Sequence, residues 1–187
     1  MAEKKTDYFM ALYDVAKVVN ASLTPSQVMK KIVACVADSM KVKACSLRLL
    51  GSRGNRLLMG AHQGLSDGYI RKGPVLVSES GLDKKALKGK TIWLKNAQDD
   101  KDFQYQEKAR AEGIKSVLVV PLMAEKKSIG VLRAYTDRVR KFSDDDIKFL
   151  EAVANLGAIA LENARLHQAL RRDYDLLVEH KYRLDDN

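Results

Sequence analysis

At 187 residues, 46% of them hydrophobic and 30% charged, the chain can bury one sizeable core and is too apolar to remain disordered. No run nears the ~20 apolar residues of a membrane-spanning helix, and the first residues lack a signal peptide's apolar stretch, so a cytoplasmic location without membrane association is expected. Lysines and arginines outnumber acidic residues by 33 to 24, giving a net charge of +9. The cations are scattered, in small groups such as Lys84-Lys85, Lys126-Lys127 and Arg138-Arg140-Lys141, without a recognition helix or aromatic–basic interleaving. That pattern argues against nucleic-acid binding and for a solvated basic surface with a mild preference for anionic ligands or partners.

Tyr8, Phe9, Leu12, Ala16 and Val19 recur at helical spacing and predict an amphipathic helix from about Asp7 to Ala21. Thr24-Pro25-Ser26-Gln27 restarts a helix, with Thr24 as N-cap, Pro25 at N1 and Gln27 at N3 closing a capping box. Its apolar face, Val28, Ile32, Cys35, Val36 and Met40, runs to about Met40. Ala44 to Leu50 and Arg56 to Gln63 read as two strands joined by the turn Gly51-Ser-Arg-Gly-Asn55. An irregular excursion follows from Gly64 to Gly113. Within it lie an extended piece at Gly73–Val77, a short helix capped by Ser80 and ended near Gly89, a strand at Thr91–Leu94 and a helix from Phe103 to Glu112.

Ser116 to Met123 is apolar from Val117 on, rich in β-branched valine and bounded by polar residues, as a strand buried on both faces is. Ala124-Glu-Lys-Lys127 turns the chain into the return strand Ser128 to Tyr135. The last helix has a complete start signal. Ser143 is its N-cap, Asp144, Asp145 and Asp146 meet the positive end of the dipole, and Phe142 and Ile147 are spaced as a hydrophobic staple. Leu150, Val153, Ala154, Gly157, Leu161 and Ala164 then form one stripe. Further on, Leu156, Asn163, Leu170, Leu177 and Leu184 share a heptad position, and Ile159 and Leu166 share a second that Asp173 and His180 interrupt. A coiled coil is one reading of this tail and a solvent-facing helix the other.

Val117 to Leu122, Ile129-Gly-Val-Leu132, Phe142-Ser-Asp-Asp-Asp146 and Leu150-Glu-Ala-Val-Ala154 together resemble the last two core strands and closing helix of a GAF domain. The resemblance covers about Leu12 to Leu166. It implies an α+β fold, an antiparallel sheet of five to six strands with the N-terminal helices and the long C-terminal helix on one face and a lid of loops and short helices on the other. The expected organisation is an N-terminal dimerisation helix over residues 1–23, the GAF-like domain over 24–166 and a helical extension over 167–187. Dimerisation through the terminal helices, and a downstream signalling protein or domain as partner, follow from the same resemblance.

Ligand classes narrow by comparison with subclasses of that family. Members that bind cyclic nucleotides share an Asn-Lys…Phe-x-x-x-Asp-Glu signature; here Phe142 and Asp146 hold the Phe and Asp places, Asp137-Arg138 replaces Asn-Lys, and Ile147 replaces Glu. Bilin-binding members attach their chromophore through a cysteine beyond the second strand, where this chain has none, so no covalent bilin is expected. Members that reduce free methionine sulfoxide need cysteines lining the pocket, and Cys35, on the second helix, is poorly placed. The three histidines, His62, His167 and His180, are far apart and the two cysteines, Cys35 and Cys45, unpaired in spacing, which excludes a zinc signature and favours buried thiols over a redox pair. His62 reads as a satisfied structural histidine. With no compact set of nucleophile, base and metal ligands, no enzyme activity is expected.

A sheet covered by helices on one face must cover the other, and the excursion is the only material left for it. A loop-built cover is a natural place for a ligand. Tyr69, Trp93, Phe103 and Tyr105 are its aromatic residues, read either as pocket walls or as the lid's own small core. Arg48 and Arg133 interrupt apolar strands, where a charge on a covered face needs a partner. Both pointing under the lid would suit an anion or carboxylate; a salt bridge or a solvated sheet edge is the other account. The expectation is a small-molecule-sensing regulatory module that binds its ligand between sheet and lid and signals through paired terminal helices, with a ligand-free dimerisation module as the alternative.

Overall fold

The computed structural model describes residues 8–21 and 24–185, with only the helical backbone for 20, 21 and 179–185. Two helices open the chain, α1 (Tyr8–Ala21) and α2 (Pro25–Met40), followed by strands β1 (Ala44–Leu50) and β2 (Arg56–Gln63). The excursion supplies α3 (Asp67–Ile70), β3 (Val75–Leu76), α4 (Gly81–Ala86), β4 (Ile92–Leu94) and α5 (Gln106–Glu112). Strands β5 (Val117–Ala124) and β6 (Lys127–Tyr135) and the 42-residue helix α6 (Asp144–Asp185) complete it. The six strands form one antiparallel sheet in the order β3-β2-β1-β6-β5-β4. This is the α+β architecture expected from the sequence, with six strands.

Alternation along the strands sorts side chains to two layers. Cys45 and Leu47 of β1, Leu118, Val120 and Leu122 of β5, and Leu132 and Ala134 of β6 pack with the apolar faces of α1, α2 and α6. Ala44, Leu57, Val117, Val119, Val131 and Tyr135 point the other way and pack with Leu65, Tyr69, Leu82, Ala86, Phe103 and Ala109 of the excursion. The excursion is therefore the lid. In the helix layer, Gly157 lets α6 press on α2, since a Cβ there would lie 2.7 Å from Ile32 Cδ1.

The α6 start carries a reciprocal cap: the Asp146 amide donates to Ser143 Oγ (3.1 Å) and the Ser143 amide to Asp146 Oδ2 (2.9 Å). Phe142 and Ile147 both join the helix-side core, as the staple spacing predicts. At α2 the cap differs from the expected box. Thr24 is the N-cap residue, but its hydroxyl donates to Gln27 Oε1 (2.5 Å) instead of accepting from a backbone amide. The helix expected from Phe103 begins at Gln106, because Phe103 is drawn into the lid core and Tyr105 into a side-chain hydrogen bond with the Pro74 carbonyl (2.8 Å). Gly113 ends it in the left-handed conformation at φ 71°. Beyond Ala164, the last buried residue of α6, the helix continues with Leu166, Leu170 and Leu177 60–70% exposed. Of the heptad positions, His180 and Leu184 fall where side chains lie outside the described residues. The expected boundary at residue 23 also lies outside them.

Candidate functional site under the lid

Arg48 and Arg133 both point under the lid. In β1, Cys45 and Leu47 face the helices, which sends Ser46 and Arg48 to the opposite face. In β6, Leu132 and Ala134 face the helices, which sends Val131, Arg133 and Tyr135 beneath the lid. Arg133 pairs with Ser46 and Val131 with Arg48, so the arginines are diagonal neighbours on adjacent strands, about 7–8 Å apart at the backbone. Both are almost wholly buried, at 1% and 2% exposure.

Their partners differ. Arg133 donates from Nε to Asp83 Oδ1 (3.2 Å) and from Nη2 to Asp83 Oδ2, a two-pronged grip on one carboxylate. Asp83 is itself fully buried, in the first turn of α4, where Ser80 Oγ donates to Oδ2 (2.5 Å) and accepts from the Asp83 amide (3.4 Å). Burial alone would lower the Arg133 pKa, but the adjoining Asp83 carboxylate more than reverses this and raises it. The salt-bridge account of a buried arginine therefore holds for Arg133.

Arg48 has no such carboxylate. Its Nε and Nη2 are buried without a hydrogen-bond partner in the protein. Burial pulls its pKa down, and the charge of Arg133 adds to that pull. Two further donors nearby are also orphaned: the Tyr69 hydroxyl and Lys72 Nζ. Lys72, just past α3, lies with its ammonium 4.6 Å from the Tyr69 ring centre and 4.1 Å from that of Tyr105. The rings favour the charged form. Burial and the fields of Arg48 and Arg133 oppose it more strongly, and the Lys72 pKa falls to about 6. Tyr69 in turn meets Tyr135 edge-on (centroids 6.3 Å apart), Tyr135 shares a hydrogen bond with Ser46 Oγ (2.9 Å), and the Arg133 guanidinium lies 5.9 Å from the Phe103 ring. Burial raises the Tyr69 pKa, keeping its phenol a donor. The result is two guanidinium ions, one amine and one carboxylate in one buried layer, with three unused donor groups.

Of the residues the sequence nominated, the fold brings Arg48, Tyr69, Phe103, Tyr105 and Arg133 together and leaves Trp93 out. Trp93 pairs with Leu118, whose side chain faces the helices, so it projects from the opposite side of the sheet, 39% exposed. There its indole N–H donates to the Arg140 carbonyl (3.0 Å). Arg140 in turn donates from Nη1 to the Met40 carbonyl (2.8 Å) and from Nη2 to both Asp146 oxygens (3.1 and 3.2 Å), while its amide donates to Ser116 Oγ (3.0 Å). The Tyr8 hydroxyl also donates to Asp146, and its ring stacks on Phe149 at 4.2 Å. One node thus fastens the β4–β5 edge to α1, α2 and α6.

Two members of the site were not nominated. Asp83 carried a visible signal, but its position three residues after Ser80 reads first as helix capping. Lys72 sits in Arg71-Lys72-Gly73, where nothing separates it from a solvated loop lysine. His62 departs from its expected role: it pairs with Ser46 on the lid face and its Nδ1 is buried without a partner. Cys35 and Cys45 are free thiols, Cys45 fully buried. Among the described residues no group of His, Cys, Asp and Glu is disposed to hold a metal ion, and no helix is long and apolar enough to cross a membrane. An open groove of about 330 Å³ between the α2–β1 turn and the β6–α6 connection, lined by Lys41, Lys43, Arg138 and Arg140, contains none of the orphaned donors.

The family model for the GAF domain matches residues 22–162. The chain belongs to the GAF domain family. GAF domains are signalling and sensory modules found in kinases, transcriptional activators and chemotaxis proteins. Among curated proteins, the formate hydrogenlyase transcriptional activator of Salmonella typhimurium strain LT2 is 23% identical across 98% of this chain. The chain spans only 27% of that relative's length. Among solved structures, the GAF domain of a phosphoenolpyruvate-protein phosphotransferase from Coxiella burnetii superposes with a TM-score of 0.79 at 19% identity, covering 89% of this chain and 99% of that one. The corresponding Acinetobacter domain gives 0.70 at 25% identity, over 84% and 94%. The free methionine-R-sulfoxide reductase of Neisseria meningitidis, solved with its substrate, gives 0.74 at 19% identity, over 89% and 95%. The relatives thus include both regulatory domains and an enzyme.

Proposed function

We propose that the chain is a cytoplasmic, non-enzymatic sensory module that binds a small anion between sheet and lid and passes the signal through paired terminal helices. The observation that carries this reading is Arg48, a guanidinium buried to 1% exposure with Nε and Nη2 unpaired. An uncompensated charge in such a layer costs several kcal/mol, roughly, and a fold gains nothing from it without a counter-ion. A bound anion supplies the counter-ion, and the orphaned Tyr69 hydroxyl and Lys72 ammonium supply further donors. Arg133, Phe103 and Tyr105 form the surrounding wall.

The output side is supported by exposed apolar residues on the terminal helices. Phe9, Met10 and Tyr13 of α1 and Ile159, Leu166, Leu170 and Leu177 of α6 are all more than half exposed. A second copy of the chain, aligned in parallel, covers them and places Asn163 in the seam, where a lone Asn favours two strands in register. In this reading residues 24–166 sense, and residues 1–23 and 167–187 pair and transmit to a downstream signalling protein or domain. The Arg140 node is the physical bridge between the sheet edge and those helices.

Thermal unfolding in a panel of anions at constant ionic strength tests the sensing half. A saturable rise in Tm for the native chain, absent from Arg48→Met, is expected by mass action. Native and variant chains responding alike to every anion would leave a ligand-free dimerisation module as the better reading. Disulfide crosslinking of Leu177→Cys tests the output half: crosslinking that changes with the stabilising anion supports transmission, and unchanged crosslinking removes it.

A further inference from the structure

The two buried arginines present one binding edge twice, and only one copy is used. Arg133 holds Asp83 through Nε and Nη2, each nitrogen donating to a different carboxylate oxygen. In Arg48 the same two nitrogens are the buried, unpartnered ones. That edge offers two parallel N–H groups, a spacing complementary to the two oxygens of a planar carboxylate. Beside these polar groups the lid face carries an apolar and aromatic surface, with Leu57, Val131, Tyr69 and Phe103 in the same core. Building on the anion-sensing reading, we infer that the ligand is a small monocarboxylic acid. Its carboxylate lies on the Nε–Nη2 edge of Arg48 as the Asp83 carboxylate lies on Arg133, and Lys72 Nζ and the Tyr69 hydroxyl are its other donors.

The choice of a monocarboxylate follows from the charges present. Arg133 is already neutralised by Asp83, and Lys72, held between two tyrosine rings with its pKa at about 6, is a neutral amine near neutral pH, so Arg48 is the cation left over in this layer. One negative charge satisfies Arg48. The apolar surroundings accept a hydrocarbon body and leave a second charged group without a partner. Because Arg48, Tyr69, Phe103 and Arg133 are all at most 4% exposed, the acid is small and the lid must part to admit it.

Lys72 gives the same site a proton-linked signature. It faces Tyr69, Tyr105, Arg48 and Arg133, with Asp83 the nearby carboxylate that favours its charge. An incoming carboxylate adds a second negative charge and draws a proton from solvent onto Nζ. Binding near neutral pH is therefore accompanied by proton uptake, and affinity falls as pH rises.

Isothermal titration calorimetry of the full chain with acetate, propionate, butyrate and benzoate, and with nitrate and phosphate, tests this. At least one monocarboxylate is expected to bind about ten-fold more tightly than nitrate or phosphate. Arg48→Lys, which keeps the charge and removes the two-pronged edge, is expected to weaken it about ten- to a hundred-fold. Titrations in buffers of different ionisation enthalpy at about pH 7.5 should show uptake approaching one proton, lost in Lys72→Met, whose fold is checked by circular dichroism. Nitrate or phosphate binding in an Arg48-dependent manner, with no carboxylate doing so, overturns the carboxylate inference and leaves an anion sensor standing. Binding of none of the six overturns both. Native binding without proton uptake overturns the role of Lys72.

Discussion

Leu47 and Arg48 are adjacent in β1, equally buried, and face layers built in different ways. Around Leu47 the partners are apolar side chains from α1, α2 and α6, close enough that Gly157 is needed for two helices to meet. Around Arg48 the layer mixes aromatic rings with a second guanidinium, an amine and one carboxylate, and several of its donors have no acceptor. The first layer is what a fold needs. The second contains a cost that folding alone does not explain, and the proposed anion site on that side of the sheet would account for it.

Substitutions can break or sharpen the contrast. The largest effect is expected from Asp83→Asn, which leaves Arg133 buried without its carboxylate; urea unfolding should show a loss of about 3–5 kcal/mol. Leu132→Ala, on the helix side, should cost about 2–4 kcal/mol, and the loss should be the same with or without a bound anion. Arg48→Met should act in the opposite direction. By removing an unpaired buried charge at similar volume it should be neutral or raise stability by about 1–3 kcal/mol in the absence of anion, while abolishing stabilisation by anions. A loss like that of Leu132→Ala would make Arg48 structural and erase the distinction between the layers.

The pH dependence is more modest and has a definite sign. The folded-state pKa of Lys72, about 6, lies below the ordinary lysine value, so between these limits the unfolded chain binds the extra proton. Stability should therefore rise with pH in that window by up to about 1.4 kcal/mol per unit, and Lys72→Met should remove this contribution when unfolding is compared from about pH 7 to 9. The smallest effect, roughly 1 kcal/mol in urea unfolding, is expected from Tyr8→Phe, which keeps the stack on Phe149 and removes one hydrogen bond to the buried Asp146, whose bonds from Arg140 and the Ser143 amide remain.

Local rules made most of the fold legible. Strand alternation and the cap at Ser143 depend on residues close in sequence, and the prediction that residues 64–113 form the lid followed by elimination, since they were the material left to cover the sheet's second face. The site was half legible for a related reason. A charge breaking an apolar strand is conspicuous, which exposed Arg48 and Arg133. Asp83 was masked by its second role in a helix cap, and Lys72 becomes unusual only when Tyr69 and Tyr105, 36 residues apart in number, close over it. Trp93, named as one of the excursion's aromatic residues, falls on the other face of the sheet, since its face is decided by pairing with Leu118 on a strand more than twenty residues away.

The claim that Arg48 waits for an acid while Arg133 already holds one is tested most directly by following both Nε–H resonances in ¹H–¹⁵N spectra during titration with the monocarboxylate that calorimetry ranks tightest. The account expects the Arg48 signal to move downfield and saturate at the calorimetric Kd while the Arg133 signal, bonded to Asp83 throughout, hardly changes. An Arg48 signal that stays in place as the protein saturates would contradict it.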